Sequence, residues 1–206
     1  VENDYSLSSL LKDVMLGADI RAKQKQLELQ LDIDQSMPSV LRGDDIRIRQ
    51  ILNNLLSNAI KYTDKGCISF TAKGIRTESG FSLLFSVKDT GIGISKEDME
   101  KLFDSFQRLE LSKNRYIQGT GLGLNIAKQL VDSMHGTIEV ESEHGRGSCF
   151  TIQIPQEIVD DTTIGALKQA SANPSVSIQE VSASNAALYA PNAKILAVDD
   201  NRMNLL

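Results

Sequence analysis

The segment 45–62 constrains the fold more than any other part of the sequence, because it carries two different helical stripes. Gln50, Asn54, Asn58 and Lys61 follow one another at steps of four, four and three residues, so they share one face of a helix. The apolar residues form a second stripe, which must be buried against other elements: Ile48, Ile51, Leu52, Leu55, Leu56, Ala59 and Ile60. The chain must therefore bury one side of this helix and keep a separate polar side.

The polar stripe has two interpretations. A helix face exposed only to water more usually carries Glu and Lys, because Asn is a weaker helix former. The stripe is then either a surface of poor helix propensity or a face that holds a ligand. An Asn amide oxygen can complete the octahedral shell of Mg²⁺, and Lys61 at the end of the row can meet a phosphate as a point charge.

The remaining patterns mix helices and strands without regular β-α-β alternation. Helical spacing predicts the helices, and alternating or apolar runs bounded by turn residues predict the strands. The predicted elements are helices over residues 7–25, 44–62 and 124–134, strands over residues 27–33, 67–75 and 81–88, and a final hairpin of Thr137–Ser142 with Gly147–Ile154. This order predicts the α+β class, a two-layer α/β sandwich whose mixed sheet is covered on one face by helices.

Composition divides the chain into three parts. Residues 1–155 hold the predicted sandwich, and residues 156–192 are rich in Ser and Ala and lack an apolar period, which is typical of a flexible linker. Residues 193–206 start a new strand-like pattern.

The charge and the cysteines narrow the classes of partner and compartment. A formal net charge of -5 disfavours nucleic acid and anionic membranes as partners. No apolar run is long enough to span a bilayer. Cys67 and Cys149 stand far apart, without metal-ligand spacing, which favours reduced thiols in the cytoplasm over a disulfide.

Two glycine segments flank a stretch with two phenylalanines. Asp89-Thr90-Gly91-Ile92-Gly93 follows an apolar strand, so Asp89 can accept a hydrogen bond from a ligand while the glycines let the backbone pass close by. Gly119-Thr120-Gly121-Leu122-Gly123 precedes a helix, where backbone amides can bind phosphate. Between them, Phe103 and Phe106 can anchor a lid, and Arg108 can reach a phosphate. Taken alone, each segment is better explained by a plain turn or loop.

Taken in order, these segments resemble the N, G1, F and G2 boxes of sensor histidine kinases. The matching stretches are Asn54–Thr63, Asp89–Ile94, Phe103–Phe106 and Gly119–Leu124, followed by a closing hairpin from His135-Gly136-Thr137 to Gly147-Ser148-Cys149. The resemblance covers about residues 5–155 and implies a Bergerat-type ATP-binding fold, which gyrase-type ATPases and ATP-driven chaperones share.

The resemblance also implies roles for the site residues. Asp89 would bind the adenine amino group, with Gly91 and Gly93 in the same turn, and Tyr62 would flank the nucleotide. Asn58 would hold Mg²⁺, with Asn54 beside it, and Asn54 and Gln50 would be the catalytic candidates. The phosphates would be contacted by Lys61, Arg108 and the loop of Gly119, Thr120, Gly121, Leu122 and Gly123.

The implied reaction is transfer of the γ-phosphoryl group of ATP to a histidine on the dimerisation and phosphotransfer domain of the same protein. The chain holds only His135 and His144, and neither lies in a phosphoacceptor helix pattern, so we expect no self-phosphorylation. The alternatives are a gyrase-type ATPase and a nucleotide-sensing module that has lost transfer.

The C-terminal residues resemble a second family. The stretch 194–204 is similar to the first strand and acidic pair of a response-regulator receiver domain, in which Asp199 and Asp200 would bind Mg²⁺ once the domain is complete. The resemblance implies a hybrid kinase whose partners are its phosphotransfer domain and a receiver domain or response regulator. It implies a cytoplasmic domain without membrane contact, whether or not the parent protein is membrane-anchored.

Overall fold

The computed structural model describes residues 2–77, 80–99, 102–103 and 123–165. Helices and strands are mixed along this part of the chain, as the sequence predicts. The elements are β1 (Asn3–Ser6), α1 (Leu7–Gln24), β2 (Glu28–Ile33), β3 (Pro38–Gly43), α2 (Asp45–Tyr62), β4 (Cys67–Thr77), β5 (Gly80–Asp89), α3 (Lys96–Met99), α4 (Gly123–Ser133), β6 (Thr137–Glu143) and β7 (Gly147–Thr163).

The strands within the described ranges form one mixed sheet of seven strands in the order β1-β3-β7-β5-β4-β2, with β6 also paired to β7. β2 and β4 run parallel, and every other pair is antiparallel. In the register, Ile68 of β4 lies opposite Asp89 of β5, and Lys88 lies opposite Cys149 of β7. The end of β5 therefore lies between β4 and β7, and this is where the Asp89 turn begins.

The helices cover one face of the sheet, which confirms the predicted α+β sandwich. Inward residues alternate along the central strands, as in Ile68, Phe70 and Ala72 of β4, while the residues between them are only partly buried. The rings of Phe70 and Phe85 stack in this core with centroids 6.0 Å apart. The whole apolar stripe of α2 that the sequence predicts is buried. Its polar side is consequently left at the edge of the core.

Local capping explains where the two long helices start. The Ser6 hydroxyl accepts a hydrogen bond from the Ser9 amide at 3.4 Å at the start of α1, and Asp44 accepts one from the Arg47 amide at 3.1 Å at the start of α2. Both satisfy amide groups that a first helical turn leaves unpaired. The predicted bounds of α2 are therefore confirmed to within a residue.

The sheet extends beyond its predicted size. The predicted end of the last strand at Ile154 is wrong, because β7 continues to Thr163 and its second half pairs with β3. Residues 156–163, which the sequence assigns to the linker, are therefore strand. β1 and β3 were not predicted either, since one is four residues long and the other starts at a proline. Among the described residues, no helix is long and apolar enough to cross a membrane.

Candidate functional site

The polar row of α2 faces the first turn of α4. A Cβ atom placed on Gly123 would lie 3.8 Å from Asn54 Oδ1 and 3.8 Å from Asn58 Nδ2. The backbone at the start of α4 therefore lies next to both amides, in a segment where main-chain N–H groups have no helical partner. Gln50, further along the row, is exposed. The structure thus brings three of the predicted site residues together and leaves Gln50 one turn away.

The end of α2 carries the next two predicted residues. Lys61 and Tyr62 are both partly exposed, and the Lys61 ammonium lies over the Tyr62 ring, 4.9 Å from its centroid. This is a cation–π contact, which holds the ammonium near the aromatic face. The charge is therefore kept at the same end of α2 as Asn58.

Lys25, which the sequence analysis missed, holds the end of α2 in place. Its Nζ donates to the carbonyl oxygens of Ile60 at 2.9 Å, Lys61 at 2.9 Å and Thr63 at 3.2 Å. These carbonyls would otherwise be unpaired at the C-terminus of a helix, where a cation also complements the helix dipole. No local pattern reveals this contact, because Lys25 directly follows α1 and reaches a different helix.

Asp89 is the most deeply buried carboxylate of the site. Its residue is 5% exposed, and its Oδ1 accepts a hydrogen bond from the Gly91 amide at 2.8 Å. Burial raises the pKa of the Asp89 carboxyl, and the backbone amides of Gly91 and Ser148 oppose that rise. The carboxylate is thus a desolvated acceptor, as a site for a hydrogen-bonding ligand requires.

The turn after Asp89 is pressed against the end of α2, and this is why Gly91 is required. A Cβ on Gly91 would overlap the carbonyl oxygen of Tyr62 and lie 2.9 Å from both Asp89 Oδ1 and Thr63 Oγ1. The Ile92 amide donates to the same Tyr62 carbonyl at 3.2 Å. The turn that carries the Asp89 carboxylate and the C-terminal end of α2 are therefore held together by main-chain contacts.

Gly93 and the hairpin of β6 and β7 close the other side of this turn. Gly93 has φ 65°, and a Cβ there would overlap the Glu143 carbonyl. The Gly145 amide donates to the Ile92 carbonyl at 2.7 Å, and the Ile94 amide donates to Ser142 Oγ at 2.8 Å. The hairpin that the sequence predicts thus supports the Asp89 turn.

Phe103 packs against the core, and the side chain of Asn125 holds its backbone. Asn125 Nδ2 donates to the Phe103 carbonyl at 2.7 Å, and Asn125 Oδ1 accepts from Gln129 Nε2 at 3.0 Å. The start of the predicted lid is therefore fixed to the first turns of α4. The other predicted residues lie outside the described ranges: Phe106, Arg108, Gly119, Thr120, Gly121, Leu122, Asp199 and Asp200.

These groups suit a nucleotide chemically. The buried carboxylate of Asp89 supplies an acceptor for a base amino group, and the amides of Asn54 and Asn58 supply neutral oxygen ligands for a hard cation. A glycine at the start of an 11-residue helix supplies unpaired backbone amides for an anion. Within the described residues, no group of three or more His, Cys, Asp or Glu side chains is placed to hold a metal ion.

Together, the fold and the site define a nucleotide-binding α+β sandwich in which an asparagine-bearing helix and a glycine-started helix face each other. A family model described as histidine kinase-, DNA gyrase B-, and HSP90-like ATPase matches residues 43–158. The chain belongs to this family.

Individual relatives narrow the comparison to histidine kinases. The chain is 40% identical over 164 residues to hybrid signal transduction histidine kinase B of Dictyostelium discoideum, covering 79% of this chain and 8% of that protein. It is similar to full-length ShkA in complex with AMPPNP, at 30% identity and a TM-score of 0.64, covering 77% of this chain and 32% of that one. It is also similar to the catalytic domain of histidine kinase ThkA, at 27% identity and a TM-score of 0.62, covering 75% of this chain and 95% of that one. The chain thus spans a small part of the first of these relatives and nearly all of a catalytic domain.

Proposed function

We propose that this domain binds Mg-ATP and donates the γ-phosphoryl group to a histidine on a separate dimerisation and phosphotransfer domain. In that transfer the bond from the γ-phosphorus to the ADP oxygen breaks, a phosphorus–nitrogen bond forms on the imidazole, and ADP leaves. The observation that carries the proposal is the approach of Gly123 to the side-chain amides of Asn54 and Asn58. A helix N-terminus offers backbone amides to an anion, and Asn amide oxygens can ligate Mg²⁺ beside it.

Each end of the nucleotide has a matching group. Asp89 accepts the amino group of the base at the end of β5. Asn58 holds Mg²⁺ with Asn54 beside it, and Lys61 adds a positive charge for the phosphates. Mg²⁺ bound there would neutralise the charge of the phosphate oxygens. A protein catalyses phosphoryl transfer mainly by positioning the reactants and neutralising the charge on the phosphates.

The same row disfavours steady hydrolysis of the gyrase type. A carboxylate or imidazole that takes a proton from the attacking water speeds hydrolysis. The row of α2 offers the amides of Gln50 and Asn54, which can orient a partner but cannot act as bases at neutral pH. The proposed acceptor is therefore a nucleophile brought by another domain.

The positions of the two histidines of the chain do not suit a phosphoryl acceptor. His135 and His144 are both exposed, one in the turn two residues after the end of α4 and the other in the turn between β6 and β7. Neither lies on a helix. We therefore propose that the fragment does not phosphorylate itself. Stable phosphohistidine on the isolated fragment after incubation with labelled ATP would contradict this.

Calorimetry of Mg-ADP binding tests the site itself. Asn58→Ala and Asp89→Ala should each weaken binding by at least about tenfold, since each removes a hydrogen bond or metal ligand of the bound nucleotide. Asn53→Ala is the matched control, because Asn53 lies on the same helix but off the polar row and its substitution should leave the affinity unchanged. Wild-type affinity in both site variants would overturn the assignment.

Phosphotransfer in trans tests the activity. A helical domain bearing a phosphoacceptor histidine should acquire label from ATP only when this domain and Mg²⁺ are present. Release of inorganic phosphate without any labelled acceptor would favour the gyrase-type alternative, and nucleotide binding with neither outcome would favour a sensing module.

The proposal extends to groups outside the described residues. Arg108 and the loop from Gly119 to Leu122 would contact the phosphates, as the resemblance implies. Asp199 and Asp200 would bind Mg²⁺ in a complete receiver domain, which would be the next acceptor of the phosphoryl group. We place the domain in the cytoplasm, where ATP is available and where Cys67 and Cys149, which form no disulfide, would stay reduced.

A further inference from the structure

Asn125 uses both ends of its side-chain amide in the first turn of α4. The residue is partly buried. Its Nδ2 donates a hydrogen bond to the Phe103 carbonyl at 2.7 Å, and its Oδ1 accepts one from Gln129 Nε2 at 3.0 Å. The bond from Gln129 fixes the direction of the amide, so that its nitrogen faces Phe103. The side chain of Asn125 is therefore held in one orientation.

The Phe103 carbonyl is anchored in the hydrophobic core. Leu102 is 7% exposed, and the side chain of Phe103 packs against the buried residues of the core. Two consecutive side chains thus hold this piece of backbone in place. Through the bond to Phe103, Asn125 ties the first turn of α4 to the core.

The same turn of α4 carries the backbone amides that we propose to bind phosphate. A Cβ atom placed on Gly123 would lie 3.8 Å from Asn54 Oδ1 and 3.8 Å from Asn58 Nδ2. The first four N–H groups of an α-helix have no partner within the helix, and together they attract an anion. They can act on the same phosphate as the polar row of α2 only while this turn keeps its position and direction.

The base end of the proposed site is held by other contacts. In the turn after Asp89, the Ile92 amide donates to the Tyr62 carbonyl at 3.2 Å, and the Gly145 amide donates to the Ile92 carbonyl at 2.7 Å. These hydrogen bonds come from α2 and from the hairpin of β6 and β7, not from α4. A change at Asn125 should therefore affect the phosphate end of the site and leave the base end as it is.

We infer that Asn125 is a positioning residue for the phosphates, because its bond to Phe103 keeps the amides of the first turn of α4 beside Asn54 and Asn58 before the nucleotide arrives. The inference rests on the proposed function and adds a residue to it. Groups that are ordered in advance bind more tightly, since the ligand does not have to order them. Without the bond, the first turn of α4 is ordered only when the phosphates bind, and their affinity falls.

A role for Asn125 in stability alone predicts a different result. Loss of a bond that stabilises only the fold should affect all parts of the nucleotide equally. Ser133→Ala is the matched control, because Ser133 Oγ accepts a hydrogen bond from Arg47 Nη1 at 3.0 Å. This bond also ties α4 to a neighbouring element, but it does so at the last residue of α4, far from Gly123.

The experiment compares binding of Mg-ADP, measured by calorimetry, with binding of adenosine, measured by NMR titration. Alanine is the strongest helix former, so Asn125→Ala should keep α4 intact. We expect this variant to bind Mg-ADP roughly five- to tenfold more weakly, the value of about one hydrogen bond, and adenosine with wild-type affinity. Ser133→Ala should bind both ligands with wild-type affinity.

Three outcomes overturn the inference: wild-type affinity for Mg-ADP in Asn125→Ala, an equal loss of Mg-ADP and adenosine in that variant, or the same loss of Mg-ADP in Ser133→Ala. Asn58→Ala separates this failure from failure of the proposed function. If wild type binds Mg-ADP and Asn58→Ala does not, while Asn125→Ala binds normally, only the role of Asn125 falls. If wild type does not bind Mg-ADP, the proposed function and this inference fall together.

Discussion

Adding one methyl group at Gly91 should destabilise the fold and disable the site together. In Gly91→Ala the new Cβ meets the Tyr62 carbonyl oxygen, which belongs to the backbone and cannot turn away by changing a rotamer. That carbonyl also accepts the Ile92 amide and terminates the helix that Lys25 holds. Forcing an extra carbon into a packed place costs about 1–3 kcal/mol, and the rigid neighbour places this case at about 2–3 kcal/mol.

Gly17→Ala is the matched control, because it makes the same chemical change with the opposite expected sign. Gly17 lies inside α1, and a Cβ there would come no closer than 3.9 Å to the Arg21 guanidinium. Alanine in a helix interior is favoured over glycine by about 0.5–1 kcal/mol. The control should therefore stabilise the domain.

Thermal and denaturant unfolding of the two variants measures these effects. For a domain of this size about 1 kcal/mol corresponds to roughly 2–4 °C in Tm, so Gly91→Ala should melt roughly 4–12 °C lower and Gly17→Ala slightly higher than wild type. Calorimetry below the melting range should show Mg-ADP affinity lost in Gly91→Ala and kept in Gly17→Ala. A Gly91→Ala protein with the Tm and the nucleotide affinity of wild type would refute the close approach of the two segments.

Two further predictions concern charge at the site. Burial raises the pKa of Asp89 in the folded protein, so its contribution to stability is fully present below the ordinary carboxyl pKa and is lost as the pH rises through the raised value. In Asp89→Asn this loss should vanish, so denaturant midpoints measured from acid to neutral pH should fall less than in wild type; parallel profiles would contradict it. Lys25→Met removes a donor to three carbonyls at the C-terminal end of α2, those of Ile60, Lys61 and the following Thr63, and should cost about 1–2 kcal/mol, a value reduced for the 39% exposure of its side chain. Lys23→Met, whose partner Asp19 lies one turn away on the surface, should change the unfolding free energy by less than about 0.5 kcal/mol, and equal losses in both variants would count against the capping role.

Local spacing was enough to predict the elements that carry the site. The stripes of α2 repeat at helical intervals within a single segment, so its bounds and its buried face follow from side-chain positions alone. The same holds for the turn at Asp89 and Gly91, because glycines directly after a strand favour a turn in which the backbone can pass close to its neighbours. The prediction that Asn54 and Asn58 share one face needed no knowledge of the fold.

The partners of those elements were decided by the tertiary structure. Lys25 reaches α2 across 35 residues or more, Gly123 meets Asn54 across the core, and the second half of β7 finds β3 far back in the chain. Which distant strands pair depends on which strand edge is left open in the sheet. The partner of a long side chain such as that of Lys25 depends on which element its own helix packs against. Residues 156–163, which the sequence assigns to the linker, form a strand because β3 offers them a pairing edge.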